Sequence, residues 1–152
     1  MIKPKRVHHL ALFVSDLKRS VKFYTEIVGM KVRETTDTGF AFLCTDTYHH
    51  CLGLIERPKD MSRAPRGSSS LHHLALELEN REELLRAVDF LKSKGVEIVR
   101  GPGEWTGAGT HKDVFFLDPD GNWVEFFCEM ERVPLERLSD PPRHSSGAYR
   151  PW

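Results

Sequence analysis

The chain has 152 residues, 39% of them hydrophobic and 29% charged, and its 22 basic and 22 acidic side chains cancel. That length holds one ordinary domain or two half-domains sharing a core, and zero formal charge supplies no field to draw the protein to nucleic acid or an acidic membrane. No apolar run is long enough to span a bilayer, and the three cysteines, Cys44, Cys51 and Cys128, lack a C-x-x-C pair and read as free thiols of a reducing cytoplasm.

The basic residues of Met1–Arg6 have no apolar segment behind them, so no secretory leader is expected. Val7–Val14 alternates as a strand, with Leu10, Leu12 and Val14 on one face and His9, Ala11 and Phe13 on the other. Ser15 or Asp16 caps a helix whose apolar stripe is Leu17, Val21, Tyr24 and Val28, and Gly29 ends it. Met30–Thr35, Gly39–Cys44 and Cys51–Glu56 read as three further strands. Arg57–Ser70 has prolines and a serine run and reads as a linker.

The string HHLAL of 8–12 then recurs at 72–76, which marks an internal repeat. Leu71–Leu78 repeats the first strand, Asn80 caps a helix over Arg81–Ser93, and Gly95 ends that helix. Val96–Val99 is the next strand, and Gly101–Gly109 reads as a glycine-rich loop that could act as a lid. Val114–Leu117 and Trp123–Glu129 are the last strands, joined by the turn signal Asp118-Pro119-Asp120-Gly121. The expected organisation is one domain over 1–152: module one at 7–56, linker 57–70, module two at 71–131, tail 132–152. The tail is rich in proline and arginine and is expected either to be disordered or to clasp a partner subunit.

Three side chains stand out by position. His9 and His73 each precede Leu-Ala-Leu in matching first strands. Glu125 lies in the last strand, where Val124 and Phe126 take the core-facing parity. A carboxylate amid apolar residues is costly to bury without a partner. Two histidines and one carboxylate make a facial triad that holds Fe(II) with positions left open. Ala11 and Ala75, small and on the histidine face, leave room for a ligand. Trp123 and Phe127 share parity with Glu125, so Trp123 is a candidate pocket wall.

V-H-H-L-A-L-F-V-S-D-L-K-R-S-V-K-F-Y-T-E-I-V-G-M (7–30) resembles the opening of a vicinal oxygen chelate module, and F-F-L-D-P-D-G-N-W-V-E-F-F (115–127) resembles its closing strand pair. The resemblance covers roughly Val7–Glu131. It implies an α+β fold in which two βαβββ modules form a cupped mixed sheet around a divalent metal. The family ligands map onto His9, His73 and Glu125. Fe(II) is the expected ion, with Mn, Ni, Zn and Co as alternatives.

Within that superfamily, glyoxalase I and the epimerases use a fourth protein ligand from the last strand of the first module. Laying Cys51–Glu56 on Trp123–Glu129 puts Gly53 opposite Glu125, so three ligands fit, as in extradiol dioxygenases and fosfomycin-resistance enzymes. Tyr-His-His-Cys is similar to the R-H-H-S/T stretch of extradiol dioxygenases, which maps an acid/base onto His50. The family's tyrosine ten residues before the ligand glutamate falls on Phe115, and its histidine after G-P-G falls near Trp105. His111 lies in the same loop and is the candidate substitute. The expectation is a metal-dependent extradiol-type ring-cleaving dioxygenase acting on a small catecholic aromatic and O2. A glyoxalase-like lyase or isomerase, a fosfomycin-resistance-like thiol transferase and a metal-free binder like bleomycin-resistance proteins are the alternatives. The resemblance further implies a homodimer.

Overall fold

The computed structural model describes residues 5–62, 71–105 and 111–137, without the side chains of Trp105 and Leu135. Part of the expected linker (63–70) and of the tail (138–152) therefore lies outside the described residues. The chain divides into two compact units: Met1–Leu71 with Asp118–Asn122, and His72–Leu117 with Trp123–Trp152.

The first unit holds β1 (Leu10–Val14), α1 (Leu17–Glu26), β2 (Lys31–Thr35), β3 (Phe40–Cys44) and β4 (Leu52–Glu56). They make a four-stranded mixed sheet in the order β1-β4-β3-β2, with β1 and β4 parallel and the other pairs antiparallel. The alternation read from the sequence sets the faces. Leu12, Val14, Leu43 and Leu54 are buried while Phe13 is half exposed. Each fully buried side chain of this size contributes roughly 1.5–3 kcal/mol. Asp16 caps α1, its carboxylate accepting from the Arg19 N–H at 2.9 Å. Buried Tyr24 and Ser20 lie on the inner face of the helix.

The Asp118–Asn122 turn packs on that helix. Asp118 accepts from the backbone N–H groups of Asp120 (2.9 Å) and Asn122 (2.7 Å) on one oxygen. Its other oxygen takes the Asn122 amide (2.9 Å) and the Tyr24 hydroxyl (3.0 Å). Asp120 accepts from the Ser15 N–H (3.1 Å) and the Ser20 hydroxyl (3.3 Å), with Arg19 at 3.4 Å. Burial alone pushes the Asp120 carboxyl up, but these donors outweigh it and hold the group below the usual carboxylate range. Burial, and then Asp118, drive the Tyr24 phenol well above its ordinary value.

The second unit repeats the plan with β5 (Leu74–Glu77), α2 (Arg81–Ser93), β6 (Ile98–Trp105), β7 (His111–Leu117) and β8 (Trp123–Cys128). The sheet order is β5-β8-β7-β6, with β5 and β8 parallel. Asn80 caps α2 by accepting from the Glu83 N–H at 3.0 Å, and Leu84, Val88 and Leu91 bury its apolar face. Cys44 and Cys128 are buried free thiols. No helix among the described residues is long and apolar enough to cross a membrane.

One expectation is corrected. The stretch from Gly101 to Trp105, expected as the start of a loop, continues β6 against β7 as far as the Trp105–His111 pair. Two register shifts, around Arg100 and before Gly103, let turn-type residues sit in the ladder. Gly101 has φ +87°, and a Cβ there would lie 2.7 Å from the Asp113 carbonyl oxygen, so only glycine fits this crossing. Residues 106–110 of the expected loop lie outside the described residues.

Candidate metal centre

In the second unit, strand pairing builds the site. Glu125 on β8 pairs with Ala75 on β5 and with Phe115 on β7. Because side chains alternate along a strand, His111, Asp113 and Phe115 share a face of β7, and Trp123, Glu125 and Phe127 share a face of β8. His73 stands one residue before β5. Its Nε2 lies 3.0 Å from Glu125 Oε2, and the carboxylate side chain is only 6% exposed. His73 Nδ1 meets His72 Nδ1 at 2.7 Å.

A second imidazole reaches the other carboxylate oxygen. His111 Nε2 lies 3.3 Å from Glu125 Oε1 and 3.6 Å from Asp113 Oδ2. Donor atoms of His111, Asp113 and Glu125 all lie within 4.8 Å of one another. Arg100 donates to Asp113 Oδ2 at 2.5 Å, and its guanidinium sits 4.4 Å above the Phe115 ring. Burial pushes the Asp113 carboxyl up; Arg100 pulls it back, and the Glu125 charge adds to the rise. The Phe115 ring stands 5.2 Å from His73 and 5.8 Å from Trp123. So His73, Glu125, His111, Phe115 and Trp123, each singled out in the sequence, gather around one carboxylate. The side chain of Trp105 lies outside the described residues.

Two members of this cluster were not legible as site residues. Asp113 and Arg100 lie 13 residues apart, and their pairing depends on the bulged β6–β7 register. The available signal was parity: Asp113 sits two residues from His111 and two from Phe115 on one strand face.

The first unit gathers the remaining sequence candidates. His9, one residue before β1, is exposed, and its ring centre lies 4.9 Å from that of His50 and 5.7 Å from that of His8. His50 also stands 4.9 Å from Phe42. His49 bonds Glu34 through Nε2 at 3.2 Å and meets His50 Nδ1 through its own Nδ1 at 2.9 Å. Desolvation, then the neighbouring His9, His49 and His8, lower the His50 imidazole below its ordinary value, which favours the neutral ring at neutral pH. Gly53 pairs with Ala11 on β1 and with Phe42 on β3, as Glu125 pairs with Ala75 and Phe115. The equivalence of Gly53 and Glu125 drawn from the sequence is thus the equivalence of strand register.

The chemistry of the donors fits a metal. A carboxylate between two imidazoles is a mixed nitrogen and oxygen set that suits borderline divalent ions from Mn to Zn. Each imidazole touches a different carboxylate oxygen, an arrangement that fixes the orientation of a ligating glutamate.

Comparison with known proteins places the chain in a family. The family model described as the Glyoxalase/Bleomycin resistance protein/Dioxygenase superfamily matches residues 6–126. The chain is 30% identical over 145 residues to the manganese-dependent 2,3-dihydroxybiphenyl 1,2-dioxygenase of Geobacillus genomosp. 3, covering 94% of this chain and 42% of that protein. It is 27% identical over 161 residues to the lactoylglutathione lyase of Schizosaccharomyces pombe, covering 89% and 51%. A solved glyoxalase/dioxygenase from Nostoc punctiforme superposes with a TM-score of 0.67 at 28% identity, covering 86% of this chain and 97% of that one. The chain spans half the length or less of the curated dioxygenases it matches. With a match over most of its length and two units in the expected βαβββ element order, the chain belongs to the glyoxalase/bleomycin resistance protein/dioxygenase superfamily.

Proposed function

We propose that this chain is a metal-dependent ring-cleaving dioxygenase of the extradiol kind, acting on a small catecholic aromatic with O2. The observation that carries the reading is the contrast between Gly53 and Glu125 at equivalent register. A fourth protein ligand at the Gly53 position is what the resemblance assigns to glyoxalase I and the epimerases, and glycine has no side chain to offer. His73 and Glu125 are the proposed ligands from the second unit. His9, the counterpart of His73 in the repeat, is proposed as the third. Fe(II) is the proposed ion, with Mn as the alternative that the manganese-dependent relative keeps open.

When bound, such an ion supplies Lewis acidity that makes a catechol hydroxyl easier to deprotonate. The residues of the chain do the rest. His50, held neutral, accepts the hydroxyl proton. Phe115 and Trp123 present rings to the aromatic substrate, and their T-shaped packing 5.8 Å apart fixes the angle between them. His111 borders the same substrate, and Trp105 is assigned there on the sequence alone. A homodimer remains part of the proposal on the resemblance, and a cytoplasmic location on the free thiols.

A second reading, an oxygen-independent lyase or isomerase, has one observation in its favour: His111 stands 3.3 Å from Glu125, so a further protein donor is at hand. Anaerobic loading of the full chain with Fe(II), followed by O2 and a panel of catechols, separates the two. The expected result is a yellow ring-fission product with matching O2 uptake. No product from any catechol by metal-loaded protein overturns the dioxygenase reading, and turnover without oxygen establishes the other.

A further inference from the structure

We propose that Glu34 and His49 are positioning residues for His50, holding its ring proton on Nδ1 and leaving Nε2 as the bare nitrogen that takes a proton from substrate. This rests on the reading above in one respect, that His50 is the proton acceptor. It goes beyond that reading in assigning a role to two residues of the first unit that touch neither substrate nor metal.

Hydrogen-bond direction is the first argument. An ionised carboxylate only accepts, so His49 Nε2, 3.2 Å from Glu34 Oε2, carries a proton. A neutral imidazole has one N–H, so His49 Nδ1 is then an acceptor. His50 Nδ1 lies 2.9 Å from it and donates. The His50 proton is thereby placed on Nδ1, and Nε2 keeps its lone pair. The neutral tautomers of histidine lie close in energy. One hydrogen bond of ordinary strength therefore decides between them, even with His49 and Glu34 half exposed.

Strand register is the second argument. Val32 pairs with Leu43 and Glu34 with Phe42, so Arg33 is an extra residue on β2. In an unbroken ladder Glu34 would oppose Ala41, which is fully buried. The bulge instead sets Glu34 opposite Phe42, whose ring lies 6.1 Å from His49 and 4.9 Å from His50. Packing is the third. The His50 ring stands 4.9 Å from both Phe42 and His9, tilted 53° to each. Its loop is tied by the Tyr48 N–H on Asp46 Oδ1 (2.9 Å) and the Cys51 N–H on the Leu43 carbonyl (2.9 Å). Packing thus sets the plane of the ring, and His49 sets which nitrogen carries its proton. When Nε2 takes a proton the ring becomes a cation, and the Glu34 charge offsets it through His49, as the carboxylate of a Ser-His-Asp triad does directly.

The plain alternative is a doubly protonated His49, which donates from both nitrogens and forces the His50 proton onto Nε2. Two-bond proton–nitrogen correlation spectra of the full chain, labelled at histidine and with diamagnetic Zn(II) present, separate the two at about pH 8, above the ordinary imidazole range. His50→Gln identifies the His50 signals. The parent is expected to carry the His50 proton on Nδ1. Glu34→Ala and His49→Ala, each checked for folding by near-UV circular dichroism, are expected to lose that preference. With a catechol turned over by the Fe(II)-loaded chain, both variants are expected to keep KM within about threefold and lose about 10–100-fold in kcat, a share of what a positioned base supplies. A parent His50 protonated on Nε2, or spectra unchanged in both variants, overturn the proposal. So does an unchanged kcat in variants whose His50 proton has moved. If the spectra behave as expected and no catechol is turned over, the positioning of His50 stands and the dioxygenase reading falls.

Discussion

The two units share an element order, a strand order and a register, yet they use their buried acids in opposite ways. In the first unit Asp118 and Asp120 are saturated by backbone, amide and hydroxyl donors, and Asp120 is held below the usual carboxylate range. In the second, Asp113 and Glu125 face imidazoles and one guanidinium, and burial raises the Asp113 carboxyl. A carboxylate supplied with enough donors serves stability; one facing metal-type donors stores a charge for something else to balance. Register makes the comparison sharp: Phe42 pairs with Gly53 as Phe115 pairs with Glu125. The scaffold repeats, and what differs is the side chain at the equivalent position, glycine in one unit and glutamate in the other.

Removing that difference is the largest expected perturbation. Loss of an outer partner of a metal ligand weakens retention about 10–100-fold, so Glu125→Gln, which alters a proposed ligand itself, is expected to weaken divalent-ion binding by about 100-fold or more. Titration of the metal-free chain with Co(II) against a chromophoric chelator measures it, and an unchanged Kd would remove Glu125 from the centre. The reverse exchange is Gly53→Glu. A Cβ at Gly53 would meet the Ala11 Cβ at 3.5 Å, an ordinary contact, and because the position is buried the variant is first checked for folding by near-UV circular dichroism. With an acid in both units, oxygen-dependent turnover is expected to drop about tenfold or more, as coordination positions are taken up. Turnover equal to the parent would mean that the Gly53–Glu125 contrast has no functional weight.

The saturated acids of the first unit call for stability measurements. Tyr24→Phe removes one charge-assisted hydrogen bond from Asp118, which keeps its other donors, so a loss of about 1.5 kcal/mol is expected. Thermal melts register that as a fall of roughly 3–6 °C for a chain of this size. No change in Tm would show that the Tyr24–Asp118 bond is not held in solution. Asp120 adds a pH dependence with a definite sign. Its folded value lies below its unfolded one, so its contribution is present above the unfolded value, near about 4, and is lost as pH falls through the folded value. Melts from pH 6 down to pH 3 should therefore drop more steeply for the parent than for Asp120→Asn. Parallel slopes would show that the turn does not hold the charged form.

Local chemistry explains how much of this was readable in advance. The HHLAL repeat, the helix caps at Asp16 and Asn80, Gly95 just past the C-cap of α2 and the Gly53–Glu125 alignment hold in the structure, whereas α1 stops at Glu26 with Ile27 as its C-cap, two residues short of the expected Gly29. What escaped is what depends on pairing across sequence. Gly101-Pro102-Gly103 carries turn residues, and it lies in a strand because two register shifts absorb it. Asp113 read as one more charged residue of HKDVFFL, and only the ladder reveals that it is buried against Arg100. The turn at Asp118–Asn122 was legible as a turn, but its clasp on Tyr24 and Ser15 joins residues about a hundred positions apart.

The helix caps give the smallest expected effect and the closest test of symmetry. Asp16 and Asn80 both sit in extended backbone and both accept from the N–H three residues on, at 2.9 and 3.0 Å. Replacing either by alanine removes one such bond and costs about 1 kcal/mol. The surroundings differ. The first turn of α1 has no acidic residue, while that of α2 carries Glu82 and Glu83, which oppose the positive end of the helix dipole. With its cap gone, α2 keeps that charge compensation and α1 keeps none. Asp16→Ala is therefore expected to cost the larger share of the pair by a few tenths of a kcal/mol, and the gap should close in high salt, where the dipole interaction is screened. Hydrogen exchange in the first turn of each helix reads the two separately. Equal loss at low salt would show that the caps alone, and not the flanking charges, set the stability of the helix starts.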